Sequence, residues 1–203
     1  FAHQIKKSES VEDLCSLAFR IFFAGSILIA SVCFSYRTEM IGVMYDEQFA
    51  DGPMVFALLM CCFIPISMIY VFGTLLTANK NLRALNIIAG TGMAVNVVLN
   101  LILIPKFEAL GAAAVSLSAQ TLTVLIQVIL VQRLFRFKPN PKLWLSMAAF
   151  TGAAIAIGYA TTLLETKWYI SAIIAAAGIG ATALITQLVS IKRALDILRF
   201  KTQ

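Results

Sequence analysis

The chain has 203 residues, of which 60% are hydrophobic and 13% charged, with a formal net charge of +6, and its mean hydropathy is +0.89. An ordinary soluble domain carries roughly 25% charged residues, because polar side chains must cover its outside. The composition excludes such a domain. The positive charges are scattered between apolar runs and form no single basic patch, so nucleic acid is not an expected partner.

From the N-terminus, Phe1-Ala2-His3-Gln4 is neither a start with Met nor a signal peptide, which would need a basic segment followed by an apolar run. The chain is therefore expected to be a piece of a longer protein. A helix that crosses the hydrocarbon of a bilayer needs about 20 mostly apolar residues for about 30 Å. Six stretches meet that requirement: residues 14–36, 53–78, 84–104, 109–134, 143–164 and 168–191. The fold class expected is an all-α integral membrane protein, a six-transmembrane-helix bundle forming a single domain over residues 1–203.

The connecting stretches carry most of the charges, and they alternate. Lys6, Lys7 and Arg20 lie at the start of the first span, Arg37 follows it, and Lys80 with Arg83 follow the second. Lys106 comes next, then Arg133, Arg136, Lys138 and Lys142, then Lys167, and finally Lys192, Arg193, Arg199 and Lys201. One side collects 13 basic residues and the other 3. Cytoplasmic loops hold the excess, so both ends are expected in the cytoplasm, with the lipid bilayer of the cell (plasma or inner) membrane as the immediate partner.

Local chemistry punctuates the spans. Asp51-Gly52-Pro53 places proline at a first helical position, where its missing N–H costs nothing. Residues 38–50 mix Met40, Ile41, Met44, Tyr45 and Phe49 with Glu39, Asp46, Glu47 and Gln48, the pattern of a short amphipathic helix at the outer interface. Trp144, Trp168 and Tyr169 sit at span ends, as interfacial aromatics do. The pairs Gly152/Ala156, Ala114/Ser118 and Ala176/Gly180 are small residues four apart, a spacing that lets helices approach closely. The most informative stretch runs from Asn96 to Ala114. Its apolar helix is expected to end at Ile104, where Pro105 stops it, and a loop of a few residues leads to a second helix opening on Gly111 and three alanines. So short a link must return the chain into the medium it left, as a transmembrane hairpin.

No enzyme constellation assembles. His3 is the single histidine, the acids cluster in loops, and Cys15, Cys33, Cys61 and Cys62 show no metal-ligand spacing. Neither catalytic residues, nor a bound metal, nor a cofactor is expected. Four features could do other work. Arg20 lies inside an apolar run, where it can snorkel to the nearby surface or face a cavity and attract an anionic head group. Pro65, near the middle of the second span, is either a static kink or a hinge. Asn96 and Asn100 are one turn apart and share a face with Gly92, while Gln120, Thr123 and Gln127 form a second polar stripe. Both stripes suit either interhelical hydrogen bonding or the lining of a cavity for a polar substrate.

Asn100-Leu-Ile-Leu-Ile-Pro105 followed by Gly111-Ala-Ala113 resembles a stretch found late in polysaccharide-export flippases, the O-antigen and teichoic-acid type transporters of the multidrug/oligosaccharidyl-lipid/polysaccharide exporter superfamily. Ile41-Gly-Val-Met-Tyr-Asp-Glu-Gln-Phe49 and Leu76-Thr-Ala-Asn-Lys80 fit the same succession, which covers about two-thirds of the chain. Departures fall at Asp46 and Glu108, where the family usually has Gly, and a side chain there restricts positive φ angles. The resemblance implies the C-terminal part of a two-bundle transporter with about 12–14 helices. Such a protein moves a polyprenyl-pyrophosphate-linked glycan between leaflets by alternating access, together with the N-terminal half of the same transporter, and can use a coupling ion. Arg20, Asn96, Asn100, Gln120 and Gln127 are then the expected substrate-binding residues and Pro65 the expected hinge. A cation-coupled drug exporter of the same superfamily is the first alternative, although it calls for acids within spans. A non-transporting membrane scaffold is the second.

Overall fold

The structure, a computed structural model, describes residues 8–45, 51–135, 141–186 and 188. All of its elements are α-helices: α1 (Ser8–Ser35), α2 (Arg37–Met44), α3 (Gly52–Cys61), α4 (Phe63–Ala78), α5 (Leu82–Phe135), α6 (Pro141–Thr162) and α7 (Trp168–Ile185). Five continuous stretches are long and apolar enough to cross a membrane: Leu14–Ser35, Gly52–Ala78, Leu82–Phe135, Pro141–Thr162 and Trp168–Ile185. Large apolar side chains point outward along them, among them Ile185 at 78% exposure, Leu101 at 73% and Met93 at 71%. Water would penalise such a surface heavily and lipid would not. This is a membrane-embedded helical protein.

The second stretch is two helices because of one proline. Pro65 has no N–H to give the Cys61 carbonyl, and its ring crowds that carbonyl. Accordingly α3 stops at Cys61 and α4 starts at Phe63, with Cys62 between them. The Cys62 N–H is shared between the Leu58 and Leu59 carbonyls at 3.2 and 3.1 Å. α4 then ends where Lys80 adopts a left-handed φ of 60°. The Lys80 N–H reaches the Thr77 carbonyl and the Asn81 N–H reaches Leu76, both at 3.0 Å, the paired bonds of a Schellman cap. In the Leu76–Lys80 stretch, therefore, the backbone closes a helix.

α5 is the surprise. Its 54 residues would make a straight rod of about 81 Å, more than twice a bilayer core. The rod is broken at Glu108, whose φ of 48° and ψ of −126° are non-helical. The α-carbon of Gly92 lies against the Thr123 hydroxyl, although 31 residues of unbroken helix would separate the two by about 46 Å. The chain therefore doubles back at Glu108, and residues 82–107 and 109–135 form two antiparallel limbs. The expected hairpin is present, but its turn differs from expectation. The first limb runs past Ile104 and through Pro105, and the loop of several residues shrinks to Glu108 alone. Pro105 leaves the Leu101 carbonyl without its helical donor, a single bond lost within two turns of the end of the limb. Gly111 makes so tight a corner possible, since a Cβ there would strike the Leu103 carbonyl.

Two further expectations meet the structure in part. Helix α7 is described as Trp168–Ile185, and the Thr186 N–H bonds back to the Thr182 carbonyl at 2.9 Å; residue 187 and the segment from 189 onward, into which the expected span runs, lie outside the described residues. Gly152 has nothing within 4 Å of where a Cβ would sit, and Ala156 is exposed, so that pair faces outward. Close packing falls elsewhere, at Gly92, Gly111 and Gly158. A short helix is present in that stretch as α2, which buries no residue, while residues 46–50, including Asp46, lie outside the described part. So does His3.

Helix α1 holds the molecule together, packing on α3 and α4 on one side and on α6 and α7 on the other. One core joins Ala24, Ile27 and Val32 of α1 to Met147, Phe150 and Ala154 of α6 and to Ala172, Ala175 and Ile179 of α7. The second joins Cys15 to Met68, Phe72, Leu75 and Leu76 of α4 and to Val131 of α5. Phe19 and Phe23 of α1 border both cores, and Phe19 meets Phe72 with ring centroids 5.5 Å apart.

Candidate functional site: the polar seam of the α5 hairpin

Among the described residues, the amide side chains within the spans lie on the two limbs of α5. On the first limb, Ile88 and Gly92 are buried, and steps of four residues continue that row through Asn96 and Asn100. On the second limb the same step gives Gly111, Val115, Ala119, Thr123, Gln127 and Val131, of which all but Thr123 are buried. The contacts of Gly92 with Thr123 and of Gly111 with Leu103 set the antiparallel register. In that register Asn100 lies level with Val115, Asn96 with Ala119 and its neighbour Gln120, and Ile88 with Gln127. The expected stripes are therefore two sides of one seam.

Hydrogen bonding along the seam is incomplete. Asn100 Nδ2 donates to Asn96 Oδ1 at 2.9 Å, one turn apart on the same limb. Thr123 Oγ1 donates to the Ala119 carbonyl at 2.8 Å, as a helical threonine commonly does. The amide oxygens of Asn100, Gln120 and Gln127, however, are buried and have no hydrogen-bond partner. For Gln127 the whole side chain is inside, at 2% exposure. Interhelical hydrogen bonding, one of the two roles open to these residues from the sequence, does not occupy these three oxygens. An unpaired buried acceptor costs about 1–3 kcal/mol, and all three groups lack the same thing, a donor.

Arg20 lies elsewhere, half-buried on α1, about 9 Å along the helix from Leu14. It is not on the α5 seam. Pro65 is buried and stands three residues beyond the helix break that it causes, in the span packed between α1 and α5. The structure thus unites Asn96, Asn100, Gln120 and Gln127 on one element and leaves Arg20 and Pro65 on others. A polar group that the sequence did not single out is the Tyr36 hydroxyl, buried without a hydrogen-bond partner at the end of α1. Its signal was a tyrosine one residue before the charged start of α2. Among the described residues, no group of three or more His, Cys, Asp or Glu is placed to hold a metal ion.

No family model matches the chain. No curated protein and no solved structure matches it either.

Proposed function

We propose that the chain is the C-terminal part of a membrane transporter that carries a polyprenyl-pyrophosphate-linked oligosaccharide from the inner to the outer leaflet by alternating access. In this reading the two limbs of α5 count as separate crossings, giving six, with both ends in the cytoplasm. The N-terminal half of the same transporter supplies the facing wall of the cavity. A charged pyrophosphate and a hydrated glycan cannot cross hydrocarbon unaided, so the carrier must offer polar groups within the membrane and a gap for the lipid tail.

The observation that carries the reading is the α5 corner. Asn100, Pro105 and Gly111, which bear the resemblance to polysaccharide flippases, are also the residues that build it: Asn100 tied to Asn96, Pro105 in the closing turn and Gly111 under the Leu103 carbonyl. The same corner sets the two amide-bearing limbs against each other. Arg20 supplies the cation for the pyrophosphate, and the break ahead of Pro65 supplies a place to bend. The test is polymer export in cells carrying the full-length protein. Arg20→Ala and Arg20→Glu are expected to lower export while membrane abundance holds, with Glu the worse. Unchanged export in both variants removes Arg20 from the mechanism.

A further inference from the structure

The three unpaired amide oxygens have a spacing that decides between candidate ligands. Gln120 and Gln127 are seven residues apart, hence about 10 Å along the limb and pointing the same way. Asn100, two turns from the corner, is more distant still from Gln127. One ion cannot bridge them, whereas separate small donors can. The groups also fall on the two sides of a constriction. Asn100 and Gln120 lie between the Gly92–Thr123 contact and the Glu108 corner, and Gln127 lies beyond that contact, toward Arg133. At the contact itself the limbs touch, because Gly92 has no side chain and the Thr123 hydroxyl fills the place of one.

We propose that the seam of the α5 hairpin is an internal water site with a gate. The limbs separate at Gly92–Thr123, and water donates hydrogen bonds to the amide oxygens of Asn100, Gln120 and Gln127. Shut, the seam leaves three acceptors unsatisfied, which favours opening. Open, each acceptor gains a donor. The Gly92–Thr123 contact is the closed state of the gate. Its backbone approach is close because the hydroxyl is turned back onto its own helix at the Ala119 carbonyl, instead of bonding across the seam. The inference requires a bilayer but no particular cargo, so its fate is separate from that of the sugar-carrier reading.

The same contact provides the lock for a test. An ideal Cβ on Gly92 lies 3.7 Å from the Thr123 Cβ, within the usual Cβ separation of a disulfide. Gly92→Cys with Thr123→Cys, in a background with every native cysteine of the full-length protein replaced, is expected to cross-link within one chain on mild oxidation. Hydrogen–deuterium exchange of the full-length protein in lipid nanodiscs then reads hydration. In the unmodified protein, peptides covering 92–100 and 119–127 are expected to exchange faster than those of α7. Oxidation of the double-cysteine protein should slow them to the α7 rate, and reduction should restore them. Gln127→Leu removes one acceptor and should slow exchange in 119–127 by itself. Exchange in the unmodified protein as slow as in α7 overturns the proposal. So does failure of the double-cysteine protein to cross-link, or exchange unaffected by the lock.

Discussion

The α6–α7 side of the bundle and the α5 hairpin are both apolar and helical, yet they differ in the polar side chains they carry and in how fully these are paired. In α6 and α7 the hydroxyls fold back on their own backbone: Thr151 on Met147, Thr161 on Ile157 and Gly158, Thr182 on Ile179. Ser146 adds a bond to the Thr186 carbonyl, tying α6 to the end of α7. The Ser171 hydroxyl pairs with that of Thr166, and the Tyr36 hydroxyl, in the same core, has no hydrogen-bond partner. In α5 the hydroxyls of Thr91, Ser118, Thr121 and Thr123 fold back in the same way, but this helix adds amides, and the oxygens of Asn100, Gln120 and Gln127 have no hydrogen-bond partner. The difference follows from the side chains. A hydroxyl one carbon from the backbone reaches the carbonyl four residues earlier, whereas an amide carries two donors and an acceptor with two lone pairs on a longer arm and cannot be satisfied by its own helix. Threonine in a span can be self-sufficient. Glutamine in a span requires something outside its helix.

Packing draws the same contrast. In the most apolar window of α5, 11% of the residues are buried, against 28% for α7 and 33% for the span of α3 and α4. Phe150, Ala154, Ala175 and Ile179 are fully sealed between α1, α6 and α7. One region is a shut core. The other is a pair of limbs joined by a corner and a glycine contact and packed on α3 and α4, with most of its apolar window facing outward. A shift of one limb against the other is cheaper than one inside the shut core, because a smaller share of its residues is buried.

The sharpest way to break this comparison is at the corner. Gly111→Ala puts a methyl group into the Leu103 carbonyl, and backbone on both sides leaves no flexible atom to give way. We expect a loss of about 1–3 kcal/mol or more, seen as reduced membrane abundance and a lower melting temperature in detergent. A variant as stable as the parent would show that the limbs do not meet at a corner this tight.

A smaller effect of opposite sign is expected next door. Glu108 has φ 48°, a backbone region that costs a residue with a side chain about 1–3 kcal/mol. Glu108→Gly removes that strain and adds roughly 0.5–1 kcal/mol of unfolded-chain freedom, leaving a net gain of about 1 kcal/mol. The measurement is the melting temperature, which should rise. A fall would mean that the Glu108 side chain contributes more than its backbone costs.

How much of this was legible in the sequence differs between the two regions. The spans were, because runs of about 20 apolar residues have few other uses. The reversal after Ile104 was also legible, and so was the risk at Glu108, where a side chain stands in place of the expected glycine. The exact turn was not, since proline marks a helix end only to within a turn and the tightness of the corner depends on Gly111 meeting Leu103, a tertiary fact. Asn96 and Asn100 could be put on one face by counting. That their row opposes Thr123 and Gln127 required the register, which Gly92 alone could not supply. Gly152 and Ala156 misled for the same reason: a spacing of four defines a stripe but not the direction in which it points.

The smallest expected effect completes the comparison from the other side. A Cβ built on Gly158 of α6 meets the Ser35 hydroxyl about as closely as one on Gly111 meets the Leu103 carbonyl. By distance alone the two alanine substitutions should be equally harmful. They should not be, because the Ser35 oxygen is the tip of a side chain with three staggered positions, and turning it away releases the clash. The Ser31 carbonyl is the nearest backbone atom, at an ordinary 3.7 Å. Gly158→Ala is therefore expected to change stability by less than about 0.5 kcal/mol, with the added methyl repaying part of any cost through helix propensity. Melting temperatures of Gly158→Ala and Gly111→Ala measured side by side would decide it. A loss at Gly158 as large as that at Gly111 would mean that α1 and α6 are as rigidly fitted as the corner, and that α5 is not the more adjustable half of the molecule.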